Sequence, residues 1–305
     1  MRRRFSALTL SALGAFAAFA APRAVDAATG RVTVDVNGQK RGVLLIEYGR
    51  LKRAPRTTII VLRSAGTRAR GASADRRGGI GLTPVLRNSG TVLAYPEAID
   101  QRWNLESGGV DDIAFIRALV NKLVADGVAN RKRVFVAGVS SGGILALKMA
   151  CEGADYVAGF AVMIANMPEK MAAGCKIARP TSFMLMNGTA DPVMPWGGGN
   201  ATLNVFTEPV VSAEATMAPF AAAASCGAER TRQEAPDRDP ADGSRVIFEH
   251  QNGCKTPVEL VRVEGGGHTL PGRPAPADRG VVVGARNNDV STPRVIWDFV
   301  RRAAQ

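Results

Sequence analysis

Residues 133–149 pass from a strand pattern through a sharp turn into a helix pattern with no spacer, and this segment constrains the chain more than any other. Arg133-Val134-Phe135-Val136-Ala137 is an apolar, β-branched run. Gly138-Val139-Ser140-Ser141-Gly142 follows at once, and Ser141 to Met149 reads as a helix. A strand delivered directly onto a helix is half of a βαβ unit, which points to a parallel sheet with helical cover. Thr57 to Leu62 is a continuous apolar run, as expected of a strand buried on both faces. Thr91–Tyr95, Phe160–Ile164, Thr181–Met186 and Val258–Val263 read as further strands. Ile113, Ile116, Val120, Leu123 and Val124 recur at helical spacing over 111–125, and Gly127 stops that helix. Val295, Ile296 and Phe299 mark an amphipathic closing helix over 293–301, with Thr292 as its N-cap. Near the start, Asn37-Gly38 between two strand-like runs, 31–36 and 42–48, is a hairpin signal. The expected fold is α/β: a mostly parallel sheet covered by helices on both faces, with an antiparallel N-terminal hairpin. Residues 229–244 are expected to be a polar surface loop and 271–290 a second irregular stretch.

The first 27 residues stand apart. Met1-Arg2-Arg3-Arg4 is basic, Phe5 to Ala21 is apolar and Ala-rich, and small residues precede Ala28, the pattern of a secretory signal. The expected organisation is a signal over 1–27 and one domain over 28–305, with no stable membrane anchor after cleavage and no room for a separate polymer-binding module. The expected location is outside the cytoplasm, periplasmic or extracellular. The chain carries a net charge of +12, of which about +9 remains without residues 1–27. Its positive charges form no block interleaved with aromatics, and three Trp and three Tyr give little stacking surface. No nucleic-acid partner is therefore expected. Export makes the four cysteines informative, because an even number in an oxidising compartment suggests disulfides. Three pairings are open, and local order favours Cys151–Cys175 and Cys226–Cys254. Each would stabilise the fold by about 3 kcal/mol in the loop-entropy picture. No Cys-x-x-Cys pair exists and there are only two histidines. Neither a metal site nor a cofactor is expected.

Gly138–Gly142 fits Gly-x-Ser-x-Gly in the strand-to-helix setting that a nucleophile elbow needs. Small residues around Ser140 permit the turn and expose its hydroxyl, and the helix N-terminus behind it favours developing negative charge. A phosphate-binding loop is rejected, since no Gly-Lys-Ser/Thr follows. A serine nucleophile needs a base, and the base needs an orienting carboxylate. His268 lies in Gly265-Gly266-Gly267-His268-Thr269, directly after the last strand, and is the candidate base. His250, in the polar stretch Glu249-His250-Gln251-Asn252-Gly253, reads as a surface loop residue. The strand Thr181–Met186 is followed by Asn187-Gly188-Thr189-Ala190-Asp191-Pro192, which makes Asp191 the candidate acid. Asp111 and Asp112 open a helix and read as cap and dipole partners.

The segments Gly138–Gly143, Gly188–Pro192, Gly265–Thr269 and Asp111–Ile116, in that combination, resemble secreted polyhydroxybutyrate depolymerase-type esterases, a group related to feruloyl and acetylxylan esterases. The resemblance spans nearly all of residues 31–303. It implies an α/β-hydrolase fold, a Ser140-Asp191-His268 triad, and an ester substrate: a hydroxyalkanoate polyester or oligomer, a feruloyl or acetyl ester, or a small ester. It also makes the two local cysteine pairings plausible. Trp103, followed by Asn104, resembles a segment bordering the family's cleft and is carried over as a substrate contact, with simple packing as the other reading. The oxyanion hole is expected to use the N–H of Ser141 and one from the loop at Ser64 and Ala65. That loop departs from the family, where His-Gly is usual and this chain has Arg63-Ser64. Leu270 stands where the family often has tryptophan. Two competing readings follow: a weakened, binding-only protein on an esterase scaffold, and a serine peptidase or other acyl hydrolase.

Overall fold

Asn37 and Gly38 take φ angles of 53° and 78°, the left-handed pair that a two-residue hairpin turn needs. They join β1 (Ala28–Val36) to antiparallel β2 (Gln39–Glu47), with Val36 opposite Gln39 and Val32 opposite Val43. A computed structural model describes residues 28–49, 55–66, 80–106, 108–202, 208–273 and 283–305. The expected signal over 1–27 lies outside the described residues.

Six further strands form the parallel centre: β3 (Arg56–Leu62), β4 (Val92–Pro96), β5 (Ala129–Val139), β6 (Gly159–Met163), β7 (Ser182–Gly188) and, after four intervening strands, β12 (Val258–Glu264). The intervening strands are β8 (Gly199–Asn200) and β9 (Pro209–Val210), which pair with each other, and β10 (Arg230–Glu234) and β11 (Arg245–Gln251). The main sheet runs β1-β2-β4-β3-β5-β6-β7-β12-β11-β10. Its centre from β4 to β12 is parallel and both edges are antiparallel.

Alternation along the central strands explains the two-sided cover. Ile60, Leu62, Val134 and Val136 join one core with Phe115 of α2 (Asp112–Ala125), Ile144 of α3 (Ser141–Cys151) and Phe220 of α5 (Ala213–Ala223). Ile59, Val61, Phe135 and Ala137 join the other with Leu86 of α1 (Thr83–Leu86) and Phe299 of α6 (Thr292–Ala303). The middle residues of these strands thus face one helical layer or the other, so those stretches read as unbroken apolar runs. Both local disulfides are present. Cys151–Cys175 ties the end of α3 to the residue after α4 (Glu169–Gly174), and Cys226–Cys254 ties the segment after α5 to the β11–β12 connection.

Three sequence expectations change. Ser291 holds the cap position of α6, and Thr292 is its first helical residue. Residues 229–244 are not all loop: Arg230–Glu234 is the outer edge strand, pairing Arg230 with Gln251 and Glu234 with Ile247. An edge strand exposed on both sides needs no apolar alternation, so its Arg, Thr and Gln residues gave no strand signal. His250 lies in β11 rather than a polar loop, opposite Glu259. Among the described residues, no helix is long and apolar enough to cross a membrane.

Candidate active site

Gly138 and Gly142 show why the elbow has its sequence. A Cβ at Gly138 would lie 2.4 Å from the Gly142 carbonyl oxygen, and one at Gly142 would lie 2.2 Å from that of Leu62. Only glycine allows so close an approach of β3, β5 and α3. Between them Ser140 adopts φ 54° and ψ −120°, a conformation costly for any residue with a side chain, by about 1–3 kcal/mol. Its backbone is held on both sides: its N–H donates to the Met163 carbonyl at 3.0 Å, and its carbonyl accepts from the Ile144 N–H at 3.0 Å.

Parallel pairing from β5 through β6 and β7 to β12 brings the loops after these strands to one edge of the sheet. Ser140 follows β5, Asp191 follows β7, and His268 follows β12. Ser140 Oγ lies 3.1 Å from His268 Nε2, and His268 Nδ1 lies 2.8 Å from Asp191 Oδ2. All three residues are buried. The second carboxylate oxygen of Asp191 accepts the N–H groups of Val193 and Met194, both at 2.8 Å. Those bonds fix the acid and compensate the burial of its charge. The loops carrying Asp191 and His268 are also tied to each other. Thr189 N–H donates to the Val263 carbonyl, Ala190 N–H to that of Gly266, and the Gly265 N–H to the Thr189 hydroxyl.

The loop after β3 passes over the start of α3. Its Ala65 N–H donates to Ser141 Oγ at 2.9 Å. Its Gly66 N–H donates to the Gln101 carbonyl at 3.0 Å, and the Trp103 indole N–H donates to the Arg63 carbonyl at 2.7 Å. Trp103 is 7% exposed and packs into the helical core, which leaves little of the ring for a ligand. Arg63 is 4% exposed, and its buried Nε and Nη1 have no hydrogen-bond partner among the described residues. Burial pushes its guanidinium below the usual arginine value, opposed by the nearby Tyr95 and Glu97.

The strap carrying Trp103 is anchored at the start of α2. Asp111 caps α2 as expected, accepting the Ala114 N–H at 2.8 Å. Asp112 opens the first turn of α2, as expected of a dipole partner. It is buried in an ion pair with Arg41 at 2.7 Å and accepts the Asn104 N–H at 2.6 Å. The sequence reading also missed Asn187 and Asn166. Their amides bond at 2.8 Å, and Asn187 exchanges bonds of 3.2 Å with the Ala165 backbone behind the cleft. An asparagine inside the apolar run that ends β7 was the available signal. His250 lies elsewhere, its Nδ1 3.7 Å from Glu259 on the antiparallel flank of the sheet.

No family model matches the chain. NocK of Nocardia uniformis subsp. tsuyamanensis, which carries the name of an esterase, is 30% identical over 239 residues, 72% of this chain and 68% of that protein. The chain belongs to that esterase family. It is a carboxylic ester hydrolase by this kinship. Feruloyl esterase B of Piromyces equi is 26% identical over 59% of the chain, and the match spans 34% of that longer protein. Among solved structures, the acetyl xylan esterase of Aspergillus awamori shares the α/β-hydrolase fold. It has a TM-score of 0.55 and 14% identity, and the match covers 79% of this esterase and 94% of the Aspergillus chain.

Proposed function

We propose that this esterase is exported and hydrolyses its substrate through Ser140, His268 and Asp191. The observation that carries the reading is the continuous relay of 3.1 Å and 2.8 Å across three buried side chains. With Nδ1–H donated to Asp191, His268 presents Nε2 as the acceptor for the serine proton. Ser140 Oγ attacks the ester carbonyl carbon while His268 takes its proton. The protonated imidazole then gives that proton to the leaving alcohol, and water releases the acyl group by the same route. Asp191 keeps the imidazole in this tautomer and stabilises its charged form. The negative charge that grows on the carbonyl oxygen is met by the Ser141 N–H at the start of α3, while the expected second donor, the Ala65 N–H of the Ser64–Ala65 loop, is engaged by Ser141 Oγ.

The relatives' names favour an acyl group carried on a larger alcohol, of feruloyl or acetyl ester type, over a hydroxyalkanoate polyester. Trp103 would border the acyl site chiefly by supporting the loop above it. Export is supported by the signal pattern in residues 1–27 and by two disulfides, which persist in oxidising compartments. The test is turnover of methyl ferulate, acetylated xylan and poly(3-hydroxybutyrate) side by side, with a peptide amide as the contrast. Ser140→Ala is expected to abolish the activity, and retained turnover in that variant would remove the mechanism. A second reading, a binding protein without turnover, draws on the buried Arg63 side chain beside the oxyanion loop, whose Nε and Nη1 have no hydrogen-bond partner among the described residues. Absence of fluorophosphonate labelling at Ser140 in the folded protein would favour it.

A further inference from the structure

The loop after β3 offers its Ala65 N–H, but that hydrogen points at a side chain. It is donated to Ser141 Oγ at 2.9 Å, between residues 76 positions apart. One N–H carries one hydrogen, so a second acceptor could share it only weakly. A hydroxyl behaves differently, because it accepts through oxygen and keeps its own hydrogen to donate. Among the described residues, nothing accepts from the Ser141 hydroxyl. We propose that this hydroxyl is itself an oxyanion donor, relaying the Ala65 N–H to the developing negative oxygen. The inference rests on the Ser140-His268-Asp191 reading.

Position argues for it. Ser141 directly follows Ser140 and opens α3, whose first-turn N–H groups have no carbonyl partner within the helix. Its N–H and its Oγ are joined through only Cα and Cβ, so an oxygen held by one is within reach of the other. The residue is 2% exposed, which keeps water from competing for the bond. Rigidity argues for it too. Trp103 holds the loop at the Arg63 carbonyl and Gln101 holds it at the Gly66 N–H, so the Ala65 N–H is aimed at Ser141 before any substrate arrives. Such preorganisation is what makes a donor effective at the transition state. An N–H to O–H chain also polarises its terminal hydrogen, strengthening the final bond. With Ser64 where the family usually has glycine, the relay lets a stiffer loop contribute without reaching the oxygen itself.

The bookkeeping of the step is unchanged. As the Ser140 Oγ–carbon bond forms, the serine proton moves to His268 Nε2 and the carbonyl π pair moves onto oxygen. Ser141 donates hydrogen bonds to that oxygen through N–H and O–H and transfers no proton. The experiment compares wild type, Ser141→Ala and Ser141→Thr on p-nitrophenyl acetate, together with binding of a boronic acid and of acetate. Ser141→Ala is expected to lower kcat by about 10- to 100-fold, somewhat less than a fully lost donor because the Ala65 N–H is freed. KM should stay within about twofold, boronate affinity should fall in parallel with kcat, and Ser141→Thr should recover most of the loss. Ser141→Cys, a weak donor of similar size, repeats the test should the alanine variant not fold. An unchanged or raised kcat in Ser141→Ala would overturn the proposal, since the hydroxyl would then only be occupying the Ala65 N–H. Parallel losses in boronate and acetate binding, without rescue by threonine, would overturn it in favour of a loop-holding role. Failure of the underlying triad reading is read separately, as fluorophosphonate labelling of wild type at a residue other than Ser140.

Discussion

His268 and His250 each sit beside a carboxylate, at 2.8 Å from Asp191 and 3.7 Å from Glu259. The surroundings make them different groups. His268 lies on a loop at the parallel edge of the sheet, buried, with its second nitrogen turned to a serine hydroxyl. His250 lies inside an antiparallel strand, its side chain 37% exposed. Glu259 is already engaged by Arg302, which donates to both carboxylate oxygens at 2.9 Å and 2.7 Å. Asp191, by contrast, has backbone N–H partners and, among the described residues, no lysine or arginine within ion-pair distance, only the His268 ring. A carboxylate saturated by arginine holds a strand to a helix; one left for an imidazole can stabilise a charge that appears during reaction.

Substitutions can break this contrast. The largest effect is expected at the relay: His268→Ala should lower kcat/KM for p-nitrophenyl acetate by about 10⁴- to 10⁶-fold. His250→Ala should leave kcat/KM within about twofold, and equal losses in the two variants would end the comparison. Asp191→Asn should cost about 10⁴-fold in kcat by presenting the wrong tautomer, with KM little changed. On the flank the readout is stability. Burial acts to raise the pKa of Glu259, but hydrogen bonds from His250 and Arg302 outweigh it and hold the carboxyl below its usual value. A lowered folded-state pKa stabilises at pH above the ordinary carboxylate range, and the contribution fades as pH falls through the lowered value. Glu259→Gln should therefore cost about 1–3 kcal/mol in urea unfolding at pH 7, and the gap to wild type should narrow near pH 3, with kcat intact. A gap that widened in acid would show the sign to be wrong. His250→Ala should change stability least, by under about 1 kcal/mol, because its pair is partly exposed.

Local chemistry was the legible part. Asn37-Gly38 announced its hairpin because a two-residue turn depends on those residues alone. Gly138 and Gly142 announced the elbow because each lies within a few ångströms of backbone that any side chain would strike. His268 stood out because only two histidines exist and one follows the final strand. The edge strand Arg230–Glu234 was hidden because its residues are mostly exposed and carry no apolar period. Asp112 is the helix-start acid that the sequence suggested, but its ion pair with Arg41, 71 positions earlier, left no local signal.

By itself, the sequence determined the strand-turn-helix unit around Ser140, the α/β class, and which few side chains could act as base and acid. Tertiary structure decided how these meet. Ser140 and His268 are 128 positions apart, and His268 and Asp191 are 77 apart. Parallel strand order alone brings their loops to one edge. The Ala65–Ser141 bond, the Trp103–Arg63 bond and the Asn166–Asn187 pair belong to the same class. Each joins groups whose separation depends on sheet register and the placement of α3, distances that no local pattern of residues encodes.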